Sequence, residues 1–405
     1  MFSVNVKIFP HAPGTALKAL LPVALCCCAA VAEACTSFAI HPSVSETGRM
    51  LLQKCRDSRM GRLDADIMTA KNGRRWMRIG SDGGAMFAMS DRGVAVTVNT
   101  GNTLAGDDIP RKAPRQPSVF RVIMERCSTA EEGIKLLKGY FRNPTGIYMI
   151  ADAKRAFLVE AGAGYGEHLE IPGGILVVAN EMHLPGVEEY NTSMAIGMFK
   201  QRAREANTRA ELRKSRNRDG KYTRRGMFAV SRKRYGKTFR DYNVFRPISP
   251  KSGVGSISAV CFELDGEFPA QLSTAYIALG AQRHTVYLPC PMALEQFPEK
   301  VRSGTWADLA TKIREKQGEA NPLLGRIVAL EDELLTEYDR VREEARGLLR
   351  AGKTAEAVKL LNDSFATQFD RADALMTKLA ACAPARSAKK SKTPEKTGGT
   401  INKRK

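Results

Sequence analysis

The sequence predicts an α+β protein, and two observations carry that prediction. Short apolar runs separated by turn residues fill residues 35–180 and return at 257–288, as in strands joined by hairpins. Apolar residues at helical spacing occur between Ser118 and Tyr140, and again through the final quarter of the chain. At 405 residues the chain is long enough for a sizeable core in one or two domains.

Taken in order, the chain opens with Lys7 and Lys18, followed by the apolar run Leu20 to Ala32 and then Ala32-Glu33-Ala34. This is the pattern of a cleaved secretory leader, residues 1–34, so the mature protein is expected to begin at Cys35 and to be exported, periplasmic or secreted. Cys35 to Ile40 reads as a strand, Gly48 as a turn, and Met50 to Gln53 as a second strand leading into Lys54-Cys55-Arg56-Asp57-Ser58. Ala85 to Met89 and Val94 to Val98 flank the hairpin signal Ser90-Asp91-Arg92-Gly93, and the second run ends on Asn99-Thr100-Gly101-Asn102. Ser128-Thr129-Ala130-Glu131 is a capped helix start. Strands follow at Gly146 to Ala151 and Ala156 to Ala161. After Pro172-Gly173-Gly174, another runs from Ile175 to Asn180. Residues 187–250 are basic and poor in apolar runs, a mixed helical and loop insert over the main domain, 35–320. Strands return at Ile257 to Glu263, Thr274 to Leu279 and Thr285 to Leu288. Residues 321–382 carry two amphipathic helices broken at Gly352-Lys353-Thr354, an antiparallel hairpin by expectation. The Lys-, Ser- and Thr-rich tail, 383–405, is expected to be disordered.

The formal charge is +20, concentrated in residues 200–246 and in the tail. No nucleic-acid-binding motif accompanies it, so no specific nucleic-acid partner is expected; contact with anionic envelope polymers through the insert and tail is the open alternative. Beyond the leader, no stretch is long and apolar enough for a transmembrane span. Six cysteines follow the leader: Cys35, Cys55, Cys127, Cys261, Cys290 and Cys382. They form no C-x-x-C pair, which argues against zinc, and a disulfide among the last five stays open without an assignable pairing.

A cut after Ala34 would give Cys35 both a thiol and a free α-amine. With a pKa of about 8, that amine can accept the thiol proton without a histidine. Asn99 and Asn180, both at strand ends, are candidate donors for a tetrahedral oxyanion, each worth about a hundred- to a thousandfold in rate. Lys54 or Arg56 can favour the thiolate, and Asp57 can hold the α-amine by accepting its hydrogen bond. Two competing readings are weaker. Glu33 and Ala32 make a poor lipidation context for Cys35, and no cysteine lies in the local sequence that a papain-type pairing with His183 would need.

Cys35-Thr36-Ser37-Phe38 after a small-residue cut, Lys54-Cys55-Arg56-Asp57 and the strand ending at Asn99 resemble the N-terminal-nucleophile (Ntn) hydrolases. So do Ala151-Asp152-Ala153-Lys154 leading to Val159-Glu160, and the strand ending at Asn180. The likeness is to the cysteine branch: choloylglycine and penicillin V hydrolases, isopenicillin-N acyltransferase-like proteins and dipeptidase A-like peptidases. It covers roughly Cys35 to Pro291. The resemblance implies a four-layer αββα sandwich with Cys35 in the cleft between sheets. It also implies Lys54 (or Arg56) and Asp57 beside the nucleophile, with Asn99 and Asn180 as the active-site asparagines. Where the family usually has asparagine before the aspartate, this chain has Cys55 and Arg56. The family's downstream arginine has several candidates here, among them Arg202, Arg204 and Arg224.

The expected function is therefore cleavage of linear C–N amide bonds in small N-acyl amines or short peptides, through a thioester on Cys35, with acyl transfer as a variant. No cofactor and no metal are called for. The second class kept open is a non-enzymatic basic envelope protein that binds an anionic partner.

Overall fold

The structure is a computed structural model. It describes residues 35–384 except 60, 62, 82–83, 101–117, 139–145, 163–164, 187–194, 235–243 and 251. All described residues belong to the second of the two units into which the chain divides, 33–405. The expected leader and its cut after Ala34, Gly101-Asn102, two parts of the expected insert (187–194 and 235–243) and the tail from 385 lie outside the described residues.

The strands are β1 (Thr36–Ile40), β2 (Met50–Arg59), β3 (Leu63–Thr69), β4 (Arg75–Ser81), β5 (Gly84–Ser90), β6 (Ala95–Asn99), β7 (Gly146–Ala151), β8 (Ala156–Gly162), β9 (Tyr165–Glu170), β10 (Ile175–Val178), β11 (Val254–Leu264), β12 (Thr274–Leu279) and β13 (Leu288–Pro291). The helices are α1 (Val119–Arg126), α2 (Ala130–Lys138), α3 (Ala195–Lys214), α4 (Arg224–Ser231), α5 (Pro269–Leu272), α6 (Glu299–Arg302), α7 (Thr305–Gln317), α8 (Leu324–Arg350) and α9 (Thr354–Ala381). The protein is a mixed α and β structure built on two antiparallel sheets. One has the order β10-β1-β2-β11-β12-β13 and the other runs β3 to β9 in sequence.

Alternation along the strands separates the apolar clusters. Ala39, Leu52, Val260 and Ile277 of the first sheet share a buried cluster with Met77, Phe87, Met149 and Leu158 of the second. The opposite face of the first sheet, with Phe38, Leu51, Cys261 and Tyr276, packs on Met227 and Phe228 of α4 and on Leu335, Tyr338 and Val341 of α8. The opposite face of the second sheet, with Val96, Tyr148 and Val159, packs on Phe120, Ile123 and Ile134 of α1 and α2. Gly93, with φ of 76°, closes the β5–β6 turn; a Cβ there would meet Pro269 at 2.9 Å.

Three expectations change. β2 continues through the charged cluster to Arg59 because it lies between β1 and β11 and pairs with both. The strand expected at Thr285 to Leu288 lies at Leu288–Pro291, on a sheet edge where Pro289 and Pro291 need not donate to a neighbour. One helical stretch at 118–140 is two helices. Glu132 N–H donates to Thr129 Oγ1 (3.2 Å) and Ser128 N–H to the Glu132 carboxylate (2.6 Å), a capping box that starts α2.

α8 and α9 run antiparallel: Arg371 pairs with Glu333 and Glu337, and Gln368 donates to the Leu334 carbonyl. Gly352, with φ of 75°, turns the chain between them. Much of the basic segment's charge is matched internally. Arg202 pairs with Glu181, Lys214 and Lys233 with Glu211, Arg225 with Asp332 and Arg232 with Glu331. The six described cysteines are free thiols. Among the described residues no helix is long and apolar enough to cross a membrane.

Candidate active site

The strand registers assemble the site. β1 pairs with β10 through Ser37↔Val178, so continuing that register two residues sets Asn180 opposite Cys35. Cys35 N–H donates to Asn180 Oδ1 at 2.6 Å. On the other side Ser37↔Lys54 continues to set Arg56 opposite Cys35, and Arg56 Nη1 lies 3.7 Å from Cys35 Sγ. Residues 35, 37, 54 and 56 thus share the sheet face that carries Ala39, the face turned to the second sheet. From that second sheet, Asn99 at the end of β6 reaches across: its Oδ1 accepts from Ser37 Oγ (2.7 Å) and from Lys54 Nζ.

The five residues singled out in the sequence, Cys35, Lys54, Asp57, Asn99 and Asn180, are therefore gathered at one end of β1 and β2. All are buried. Two of them are engaged differently from expectation. Asn99 Nδ2, the expected oxyanion donor, gives its hydrogens to the carbonyls of Ala179 (2.5 Å) and Val178 (3.3 Å). The Asp57 carboxylate accepts from Ser256 Oγ at 2.6 Å. The register shift between Ser256 and Ser258 lies opposite Arg56 and Asp57, a bulge that re-aims side chains beside the site. Asn180 Nδ2 donates to the Thr100 carbonyl at 2.8 Å.

Electrostatics favour the thiolate. Burial opposes ionisation of Cys35, but the charges of Lys54 and Arg56 outweigh it and hold the thiol below its ordinary value. Burial also brings Lys54 down to about 8. Asp57 is pushed up to about 6 by burial, with Arg204, the Ser256 hydrogen bond, Arg246 and Lys54 opposing. A carboxyl group raised on folding supports the fold below its unfolded value near 4 and loses that support as pH climbs to about 6. Ionised Asp57 then costs about 3 kcal/mol, at about 1.4 kcal/mol per pKa unit. Asp57→Asn is accordingly expected to raise stability at pH 7.5 by about 1–3 kcal/mol and to flatten its pH dependence between 4 and 6, while slowing turnover. Urea unfolding at a series of pH values checks this; an unchanged slope in that window contradicts it.

Other residues of the site were named in the sequence without an assigned role, or not named at all. Arg204 of α3, fully buried, donates from Nη1 to the Cys35 carbonyl at 3.3 Å, which singles it out from the several arginines of the basic segment. Its neighbour Glu205 accepts from Ala179 N–H (2.8 Å), immediately before Asn180, and holds His183 Nε2 at 3.0 Å. His183 is thus turned to Glu205 in the structure. Burial disfavours its charged form, but Glu205, Glu181 and Glu160 leave its pKa above the ordinary value. Glu160 accepts from the N–H groups of His183 and Leu184 at 2.8–2.9 Å, fixing the chain just beyond Asn180. No cluster of three or more metal-ligating side chains occurs among the described residues.

No protein-family model matches the chain, and no curated protein matches it in sequence. Similar solved structures include ones that are by name an amidase and a hydrolase. A Caenorhabditis elegans ortholog of N-acylethanolamine-hydrolyzing acid amidase is 13% identical over 56% of this chain and 91% of its own, with a TM-score of 0.39. Two variants of the conjugated bile acid hydrolase of Clostridium perfringens are each 11% identical over 60% of this chain and 89% of theirs, with TM-scores of 0.39 and 0.40.

Proposed function

We propose that this chain is an exported amidohydrolase of the cysteine Ntn kind, a four-layer αββα sandwich that cleaves linear C–N amide bonds of small N-acyl amines or short peptides. The reading rests on one observation: a buried thiol immediately before an internal strand, facing two cations, with its own nitrogen held by Asn180 Oδ1. The thiolate attacks the amide carbonyl, the amine leaves, and water resolves the Cys35 thioester; an amine in place of water makes the same site an acyltransferase. Asn180 keeps a second Nδ2 hydrogen for the oxyanion, while Asn99 acts through Ser37 and Lys54, which it holds. Arg204 and Asp57 position the main chain around Cys35. Two groups stand where the thiol proton can go: the Cys35 nitrogen, once a cut after Ala34 frees it, and Nζ of Lys54.

The test is an acid-quench experiment on exported protein with a panel of N-acyl amines, N-acyl amino acids and dipeptides. The expected result is release of amine together with a mass gain equal to the acyl group on the peptide that begins at Cys35. Absence of both across the panel overturns the reading.

A further inference from the structure

We propose that Lys54 is the group that takes the proton from the Cys35 thiol and returns it to the departing amine, so that the thiol is activated whether or not the Cys35 nitrogen is free. The inference rests on the amide-hydrolase reading above and deepens it.

The geometry sets Lys54 on the thiol. Lys54 is fully buried, stands opposite Ser37 and is diagonal to Cys35 on the same sheet face. Its Nζ donates to Asn99 Oδ1, which also accepts from Ser37 Oγ, two residues from Cys35 on the same face; its charge and that of the thiol act on one another. Asn99 cannot swing away without breaking its bonds to the Ala179 and Val178 carbonyls. Lys54 Nζ is therefore anchored on Asn99, and the diagonal register leaves Cys35 within the span of a long side chain. The Cys35 nitrogen has another task, since its N–H is given to Asn180.

The chemistry of the side chain fits the role. A guanidinium keeps its proton at any working pH and serves a thiolate only as a charge. A buried ammonium can release its proton and accept another. Cys35 and Arg56 share the face of Lys54, while Cys55 and Asp57 act on it from the other face; burial and Arg56 favour its neutral form, and Cys35, Cys55 and Asp57 favour the ammonium. The balance falls near neutral pH, where a general acid–base works best.

The proton and bond changes balance without a further reactant. The S–H proton passes to Nζ as sulfur bonds to the amide carbon and the carbonyl pair moves to oxygen. The intermediate collapses, the C–N bond breaks, and the departing nitrogen takes the proton from Nζ, leaving a thioester. Water then attacks the thioester and gives its proton to Nζ, and that proton returns to sulfur as the C–S bond breaks. Arg56, 3.7 Å from the sulfur, supplies charge in both steps.

The experiment reads alkylation of Cys35 by iodoacetamide against pH, by fragment-ion mass assigned to Cys35 itself, so that the other cysteines, eight in the full chain and five in the shorter one, do not interfere. It compares the full 405-residue chain, made without export, with the chain beginning at Cys35. The expected midpoints agree to within about half a pH unit. Lys54→Met is expected to slow alkylation at pH 7 by about tenfold or more. Lys54→Arg keeps fast alkylation but loses about 100-fold or more in amide turnover, the range that general acid–base catalysis contributes. A thiol that becomes reactive only when its nitrogen is freed overturns the proposal, and so does a Lys54→Arg enzyme that turns over normally. Both results leave Cys35 as nucleophile, with its own amine as base. The comparison of the two wild-type chains stands even if a variant misfolds.

Discussion

Cys35→Ala is expected to lower amide turnover by about ten-thousandfold or more while leaving the fold in place; removing a covalent nucleophile elsewhere costs up to about a millionfold. The activity loss follows because no second thiol is available. Cys55 sits on the opposite face of the sheet with its pKa pushed up to about 12, by burial first and then by Asp57. The fold survives because what fixes this end of β1 is main chain. Cys35 N–H to Asn180, the Cys35 carbonyl to Arg204 and the ladders to β2 and β10 all outlast the loss of one sulfur atom. The same variant separates the two function classes. A basic envelope protein would keep its binding to an anionic polymer and have no turnover to lose. Turnover that persists in Cys35→Ala, measured on the best amide from the panel, removes the thioester mechanism altogether. Cys35→Ser is the companion: it keeps size and hydrogen bonding, but the hydroxyl holds its proton too tightly for Lys54 and Arg56 to draw out the anion, so it should be nearly as inactive.

What the sequence made legible is the part governed by local pattern. β1, β6, β8 and β10 follow from apolar runs bounded by turns, and two of these runs end on Asn99 and Asn180, where a strand end can aim an amide. Lys54 and Asp57 were visible in the charged cluster that follows the apolar run Met50 to Gln53. The registers that bring Arg56 and Asn180 to either side of Cys35 are long-range, across 21 and 145 residues, and no local signal carries them. Arg204 could not be told from the other candidate arginines, for a different reason. α3 is basic on most sides, and its inward residues, Arg204, Glu205 and Thr208, are polar, so the helix shows no apolar stripe to mark its buried face. The strand β13 was displaced because its prolines argue against a strand anywhere but an edge, and edge position is a property of the sheet. The basic character of residues 200–246 suggested an anionic partner; the carboxylates that meet those side chains come from Glu181, Glu331, Asp332 and Asp339, mostly far along the chain.

Glu263→Ala is expected to destabilise the protein by about 3–5 kcal/mol without changing turnover per folded molecule. Glu263 on β11 is fully buried and joins three elements. It meets Arg342 of α8 at 2.7 Å, Arg224 of α4 at 3.3 Å and Arg49 at 3.2 Å, and accepts from the Tyr276 hydroxyl at 2.8 Å. A buried ion cluster is weak evidence of net stability when compared with an apolar replacement of the whole. Removing one member is another matter, because the remaining charges stay buried and uncompensated. Here the charges left are Arg342, 1% exposed, and Arg224, 7% exposed; Arg224 retains Asp339 and Glu46, so Arg342 bears most of the cost. Burial alone would raise the pKa of Glu263, but Arg342, Arg224 and Arg49 outweigh it and hold the group below the carboxylate range. A depressed pKa supports the fold above the unfolded value near 4.5 and withdraws that support as pH falls below it. Glu263→Ala should therefore lower Tm on the order of 5–10 °C at neutral pH, with a difference from wild type that shrinks in acid. Glu263 lies seven residues along β11 from Ser256, about 23 Å at strand rise, so the site near Cys35 should not feel the change. A neutral-pH difference below about 1 kcal/mol would show that the pairing Arg342 already makes with Asp265, at 3.5 Å, is enough to compensate its charge.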